Sequence, residues 1–247
     1  MTDSHAHLDA CEDASTLVER ARDAGVTRIV TIGTGIDSSR AALAIAEANE
    51  GVYAALGIDP HQAATPEVRR LGELRELLTH PKAVAVGETG LDTVRRYATP
   101  EQQRRLMNEQ LALAKELELP VVIHNRDADE ETEDALATFG GTVVLHCFSS
   151  PDLAEIAAER GYYVSFAGNV TYASAASLRE AAATIPRDRI LVETDSPYLA
   201  PQPVRGKPNE PANVVHTLRI LAEARGETVD ELAAATHSNA AAAFGLP

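Results

Sequence analysis

The 247-residue sequence has no tryptophan, two cysteines and only ten other aromatic residues, four Phe and six Tyr. Cys11 and Cys147 form no CxxC pair, and two cysteines in a chain this long make no disulfide framework. No apolar run approaches the roughly 20 residues that a membrane span needs, so no membrane association is expected. The opening MTDSHAHLD lacks the basic flank and apolar core of a secretory signal. A cytoplasmic location is expected from these missing signals, and no protein partner is evident. Positive charge is scarce. Lys+Arg number 22 against 37 Asp+Glu, a formal net charge of −15, and only three of the cations are lysine. Proteins that grip nucleic acid over a broad surface are usually basic, because neutralised phosphates drive their affinity. Here the average surface repels polyanions, and a polyanionic substrate would need a local positive device such as metal ions or a few placed arginines.

What is present is an alternation of short β-branched runs with longer Ala/Leu/Glu/Arg segments. The apolar runs are RIVTIG (28–33), VYAALGI (52–58), AVAVGE (83–88), LPVVIH (119–124), GTVVLHCF (141–148), YYVSFAG (162–168) and RILVET (189–194). Most are apolar on both faces, as in strands of a parallel sheet covered on its outer side. Helical segments are expected near 14–24, 37–50, 66–79, 100–118, 128–139, 150–160, 173–184 and 211–226, with two short closing helices over 228–245. Thr65-Pro66-Glu67, Thr99-Pro100-Glu101 and Ser150-Pro151-Asp152 each place a cap residue before a first-turn proline and acid. With DSHAHLD as a first strand, the chain contains eight β/α units at the size usual for an eight-fold β/α (TIM) barrel. A doubly wound open sheet is the competing architecture, but no GxGxxG follows a strand. No linker divides the chain, so residues 1–247 are expected to form a single barrel domain, with the Pro-rich stretch 197–211 as a long loop over its mouth.

His5 and His7 stand two apart in the first strand, where a period of two puts both on one face, and with Asp9 close behind they read as a metal clamp. Glu88 ends AVAVGE, His124 ends LPVVIH, His146 ends the apolar part of GTVVLH, and Asp195 follows RILVET. In a barrel, the carboxyl ends of the strands converge on one rim, where sites are built. Buried carboxylates without compensation are costly, and a cation removes that cost. Four imidazoles and two carboxylates exceed the needs of one tetrahedral ion, so two divalent ions are expected, with Glu88 the better bridge. Cys147, next to His146, should point away from it into the core. His80, His216 and His237 read as structural or solvated.

With these residues in place the chain resembles the TatD family of metal-dependent deoxyribonucleases, within the amidohydrolase-like barrels. The marks are DSHAHLD (3–9), GIDPH (57–61), GETGLD (87–92), HNRDA (124–128), LHCFS (145–149), ETDSPYLAP (193–201), RGKPNEP (205–211) and SNAAAAFG (238–245). The resemblance implies an eight-fold barrel with a two-metal, sometimes three-metal, hydrolytic site. It assigns His5, His7, Glu88, His124, His146 and Asp195 as metal ligands, the set reached above from strand ends. One departure stands out: the family's GxHPH is GIDPH here, with Asp59 in place of the first histidine. That position, with Glu193, is associated in some relatives with a further metal. Asp59 is either a harder ligand favouring Mg²⁺ or Mn²⁺, or serves another purpose.

The expected chemistry is hydrolysis of a phosphodiester by hydroxide that two ions (Mg, Mn or Zn) make available near neutrality. Asp195 would take the proton of the attacking water, and Glu88 would join the ions. Arg95, Arg126 and Lys207 are candidates for holding phosphate oxygens, against the plain reading of surface cations. His61 either touches substrate or fixes its loop, and Asp92 would orient a ligand histidine. The acidic surface disfavours long duplexes, so DNA strand ends or short single strands are the expected substrate, in keeping with the 3′-exonuclease activity the resemblance suggests. Tyr172 or Tyr198 could stack a base. The alternative is a hydrolase of the same barrel type acting on a carboxyl ester, lactone or aminoacyl ester.

Overall fold

The protein is described by a computed structural model covering residues 1–247. Eight strands form one sheet in chain order: β1 (Thr2–Ala6), β2 (Arg28–Gly33), β3 (Val52–Leu56), β4 (Ala83–Asp92), β5 (Val121–Arg126), β6 (Val143–Leu145), β7 (Tyr163–Phe166) and β8 (Ile190–Val192). All seven neighbouring pairs are parallel. The helices are α1 (Ala14–Asp23), α2 (Ile36–Ala48), α3 (Leu71–Leu77), α4 (Pro100–Leu117), α5 (Asp129–Leu136), α6 (Ala154–Glu159), α7 (Ala176–Thr184), α8 (Val214–Arg225) and α9 (Val229–Phe244). This is the eight-fold β/α barrel that the alternation implies, not the open sheet. No helix is long and apolar enough to cross a membrane.

The two-sided apolar runs become strands because both faces are covered. Ile29 joins a large core between sheet and helices, while Val30 and Ile32 join a smaller cluster with Val122, Val144 and Leu191. That inner cluster is completed by Ala240, Ala243, Phe244 and Leu246, from the end of α9 and beyond. Asn239 of α9 donates to the carbonyls of Arg187 (2.8 Å) and Ile190 (2.9 Å), so the helix lies across the amino-terminal end of the barrel. The carboxyl ends of the strands stay open at the other end.

The sheet closes sparingly between β8 and β1, with one bridge from Ala6 to Ser196. His7 N–H donates to Ser196 O (2.7 Å) and Asp195 N–H to His5 O (2.9 Å). Side chains complete the seam. Asp3, fully buried, accepts from Thr194 N–H (2.9 Å) and the Thr194 hydroxyl (2.6 Å), and Ser4 Oγ donates to Val192 O (3.0 Å). Burial pushes the Asp3 carboxyl up to about 8 against the pull of these hydrogen bonds. The closing seam therefore carries two of the expected metal-site residues, His5 and Asp195.

Several boundaries differ from the sequence reading. The 228–245 segment is one helix, not two: Thr228 and Glu231 form a capping box, Thr236 donates back to Ala233 O within the helix, and Asn239 donates to a neighbouring carbonyl without breaking it. Residues 66–79 split into a 3-10 turn, Pro66–Arg70, and α3. Thr99 caps α4 through a capping box with Gln102. Ser150 caps nothing. Its hydroxyl accepts from Asn125 Nδ2 (3.2 Å), and a 3-10 turn follows. Strand β4 runs four residues past Glu88 to Asp92, with Gly87 (φ 146°) before Glu88, Gly90 (φ 144°) after it, and an irregular register between Val86 and Thr89. Those left-handed φ values favour glycine.

Candidate metal centre

His5 is buried on β1, and His7 follows one residue past its end. Their rings stand 5.0 Å apart and their Nε2 atoms 3.3 Å apart. Glu88 projects from the middle of the long β4, His124 from β5, and His146 from the residue after β6. Asp195 lies three residues past β8 at φ 54°, a left-handed conformation held by the His5 and Tyr198 backbone hydrogen bonds.

The Glu88 carboxylate divides these groups in two. Its Oε2 lies 3.6 Å from His5 Nε2 and 3.8 Å from His7 Nε2. Its Oε1 lies 2.7 Å from His124 Nδ1 and 2.9 Å from His146 Nε2, nitrogens themselves 3.1 Å apart. Asp195 Oδ1 completes the first group, 3.2 Å from His7 Nε2 and 3.7 Å from His5 Nε2. Each of these ring nitrogens is a donor when protonated and a lone-pair ligand when not, and in the unprotonated form their lone pairs converge with the Glu88 oxygens. A cation at that point satisfies them all. The donor set of imidazole and carboxylate without thiolate suits Zn²⁺ or Mn²⁺, and the residues therefore fit a divalent ion on each side of Glu88.

The charges agree with that arrangement. Burial would raise the Glu88 carboxyl, but His146, His124 and His5 outweigh it and hold it well below the usual carboxylate range. Asp195 is likewise held low, chiefly by His7. Burial opposes a proton on His146, yet Glu88 and Glu193 keep its affinity for one well above the ordinary imidazole value.

Behind the ligand-type residues stand further carboxylates. Asp92 Oδ2 is 3.6 Å from His124 Nε2 and 2.9 Å from His61 Nε2, while Oδ1 accepts the N–H groups of Val94 and Arg95, each at 2.8 Å. Despite its burial, Asp92 is held far below the usual range by His124, His61 and these amides. His61 Nδ1 meets Asp59 Oδ2 at 3.1 Å, so both His61 nitrogens are engaged by carboxylates and its pKa is raised, most by Asp59. Glu193, fully buried, accepts from Cys147 N–H (2.8 Å) and lies 3.4 Å from His146 Nδ1. Four groups of ligand atoms lie within 4.8 Å of one another: His5, His7, Glu88; His5, His146, Asp195; His61, Asp92, His124; and Glu88, His124, His146. Neither Asp59 nor Glu193 belongs to any of them, so the further-metal pair of the sequence reading shares no cluster.

Asp9, Cys147 and Tyr172 differ from the sequence reading. Asp9 does not join the clamp; its Oδ2 accepts from Ser38 Oγ at 2.5 Å. Cys147 is half-buried at φ 45° beside the centre rather than in the core. Burial and then the Asp195, Glu193 and Glu88 carboxylates push its thiol far up. Tyr172 is committed to the long loop: its OH donates to Ala200 O (3.0 Å), and Arg205 covers its ring at 4.4 Å. Arg95, Arg126 and Lys207 are exposed and make no ion pair. His80 meets Glu47 at 3.0 Å and His237 meets Thr2 at 2.8 Å, both structural contacts.

Sequence reasoning missed the groups that hold the rim. Gln103 Oε1 accepts Asp92 N–H (2.7 Å) and its amide donates to Asp92 O (3.0 Å); Gln110 grips Ile58 N–H (2.8 Å) and Thr89 Oγ1 (2.7 Å). The available signal was two glutamines seven apart on the apolar face of α4, beside Leu106 and Met107. Asn209 pins the long loop by donating to Thr194 O (2.9 Å) and Tyr198 O (2.8 Å).

An eight-fold barrel carrying imidazoles and carboxylates at the open ends of its strands is the arrangement of a metal-dependent hydrolase. The model of the TatD related DNase family matches residues 2–245, and the chain belongs to that family. It is 42% identical to a Mycobacterium tuberculosis protein named an uncharacterized metal-dependent hydrolase TatD, over 100% of this chain and 98% of that one. It is 39% identical to the 3′-5′ ssDNA/RNA exonuclease TatD of Erwinia amylovora, over 95% of each. Among solved structures, the TatD homologue YjjV of Escherichia coli K12 superposes with a TM-score of 0.93 at 33% identity, covering 100% of this chain and 98% of that one.

Proposed function

We propose that the enzyme hydrolyses phosphodiester bonds at the ends of single-stranded nucleic acid, removing nucleotides from the 3′ end, with two divalent ions (Mg²⁺, Mn²⁺ or Zn²⁺) as cofactors. The observation that carries this reading is the Glu88 carboxylate, which presents one oxygen to the His5/His7 pair and the other to the His124/His146 pair. His5, His7, Asp195 and Glu88 Oε2 would hold one ion; Glu88 Oε1, His124 and His146 would hold the other. When bound, such a pair supplies Lewis-acid activation of water and of the phosphoryl oxygen. Relatives at 36–39% identity carry the name 3′-5′ ssDNA/RNA exonuclease, which supports both the polarity and the single-stranded substrate.

The chain's own residues have the following parts. Asp195, kept ionised by His7, accepts the proton of the attacking water. Arg95, Arg126 and Lys207, exposed and free of ion pairs, orient phosphate oxygens. Asp92 and Glu193 fix the rings of His124 and His146 from behind. His61, clamped between Asp59 and Asp92, fixes its loop. No observation favours a carboxyl ester, lactone or aminoacyl ester as substrate.

The test is a 3′- or 5′-labelled single-stranded oligonucleotide incubated with Mg²⁺, Mn²⁺ and Zn²⁺ in turn, beside a Glu88→Ala variant whose fold is checked by circular dichroism. Stepwise shortening from the 3′ end is expected, with turnover at least ~100-fold lower in the variant. Unchanged turnover in the variant would remove Glu88 from the mechanism. Cleavage of carboxyl esters in preference to bis-p-nitrophenyl phosphate would overturn the phosphodiester reading.

A further inference from the structure

Four large hydrophobic side chains are left exposed by the fold: Val94 (46%), Tyr97 (63%), Tyr198 (56%) and Val229 (39%). Three of the four lie on two loops at the open end of the barrel, the 93–99 loop after β4 and the 193–213 loop after β8. Scattered apolar residues on a surface need no explanation, but their collection around one centre does.

The rings at this end form an unbroken succession. Tyr97 stands edge-on to His61 with centroids 5.4 Å apart, and His61 stands 5.8 Å from His124. His124 is 5.4 Å from His146, which stacks on His5 at 4.0 Å. His5 is 5.0 Å from His7, and His7 is 5.7 Å from Tyr198, again edge-on. Four of the five imidazoles in the middle, all but His61, belong to the candidate metal centre. A tyrosine ends the succession on each side, more than half exposed to solvent.

Building on the phosphodiesterase reading above, we propose that Tyr97 and Tyr198 are base-stacking residues, each receiving a nucleobase of the strand whose phosphate occupies the centre between them. The charge of the chain supports this. At −15 it cannot draw affinity from phosphate neutralisation over a broad surface, whereas stacking on a neutral ring carries no charge penalty. Stacking on tyrosine also selects for unpaired ends, because the faces of duplex bases are already covered by their neighbours. The two tyrosines thus account for a preference for single strands, and the stacking is tolerant of sequence. Tyr172, whose ring lies under Arg205, is not part of the pair.

The experiment compares kcat/KM for two 3′-labelled single strands, one normal and one with abasic sugars at its three terminal positions, using the metal-loaded enzyme and the variants Tyr97→Ala, Tyr198→Ala, Tyr97→Phe and Tyr198→Phe. The wild type is expected to favour the base-bearing strand, and each alanine variant to reduce that preference about tenfold, mainly through KM, while the phenylalanine variants keep it. If the tyrosines merely support His61 and His7, both strands lose activity together and the preference is unaltered; that result overturns the proposal. Equal wild-type activity on the two strands also overturns it. Absence of cleavage of either strand by the wild type would instead count against the nuclease reading itself. In that case a base-bearing single strand ending in 2-aminopurine, titrated by quenching of its fluorescence, decides the stacking proposal: about tenfold weaker binding in the alanine variants sustains it, and equal or absent binding ends it.

Discussion

The Glu193 carboxylate lies 3.4 Å from Nδ1 of His146, whose Nε2 is turned to Glu88 at 2.9 Å. A carboxylate behind a ligand imidazole fixes its orientation and raises its basicity. The same relation recurs between Asp92 and Nε2 of His124 at 3.6 Å. Replacing Glu193 by Gln, or Asp92 by Asn, is expected to keep the barrel folded and to lower divalent-metal affinity and turnover about 10- to 100-fold. Isothermal titration with Mn²⁺ on the variants checks this, and wild-type affinity would mean that the paired carboxylates do no orienting.

Gly90 carries the strand that delivers Asp92. At φ 144°, a Cβ there would sit 1.9 Å from the carbonyl oxygen of His124. Gly90→Ala is expected to destabilise the fold by ~3 kcal/mol, through backbone strain and forced separation of β4 from β5. Urea denaturation measures it. A loss under 1 kcal/mol would show that the two strands separate at little cost.

The thiol of Cys11 gives a pH-dependent prediction. Burial, then Asp9 and Glu210, push it up to about 11. A raised folded-state pKa means less thiolate, so reaction with a disulfide reagent at pH 8 should be much slower in the folded protein than in urea, rising roughly tenfold per pH unit toward pH 11. The preference of the folded state for the neutral thiol is fully present below the ordinary thiol pKa and is lost as pH rises through about 11. Equal labelling rates in folded and unfolded protein at pH 8 would contradict the shift.

Much of the barrel and its centre was legible because it depends on simple periods. The two-sided apolar runs gave the strands, and their last residues gave Glu88, His124 and His146 as members of one rim. His5 and His7 followed from the period of two, although His7 lies one residue past the strand. The rest depends on backbone that leaves these periods. Cys147 and Asp195 take left-handed φ values of 45° and 54°, which alternation does not foresee, and alternation alone points Cys147 into the core. Strand β4 continues to Asp92 only because Gly87 and Gly90 admit an irregular register. Contacts between residues distant in sequence were hidden too: Gln103 on Asp92, Ser38 on Asp9, and the Tyr97–His61 edge contact all require the fold first.

The division of the Glu88 carboxylate between two imidazole pairs is the claim on which the enzyme's chemistry depends. Anomalous diffraction from crystals grown with Mn²⁺ addresses it directly. Two peaks are predicted, one among His5, His7 and Asp195 and one beside His124 and His146, each bound by a different oxygen of Glu88. A single peak, or manganese bound without Glu88, would contradict it.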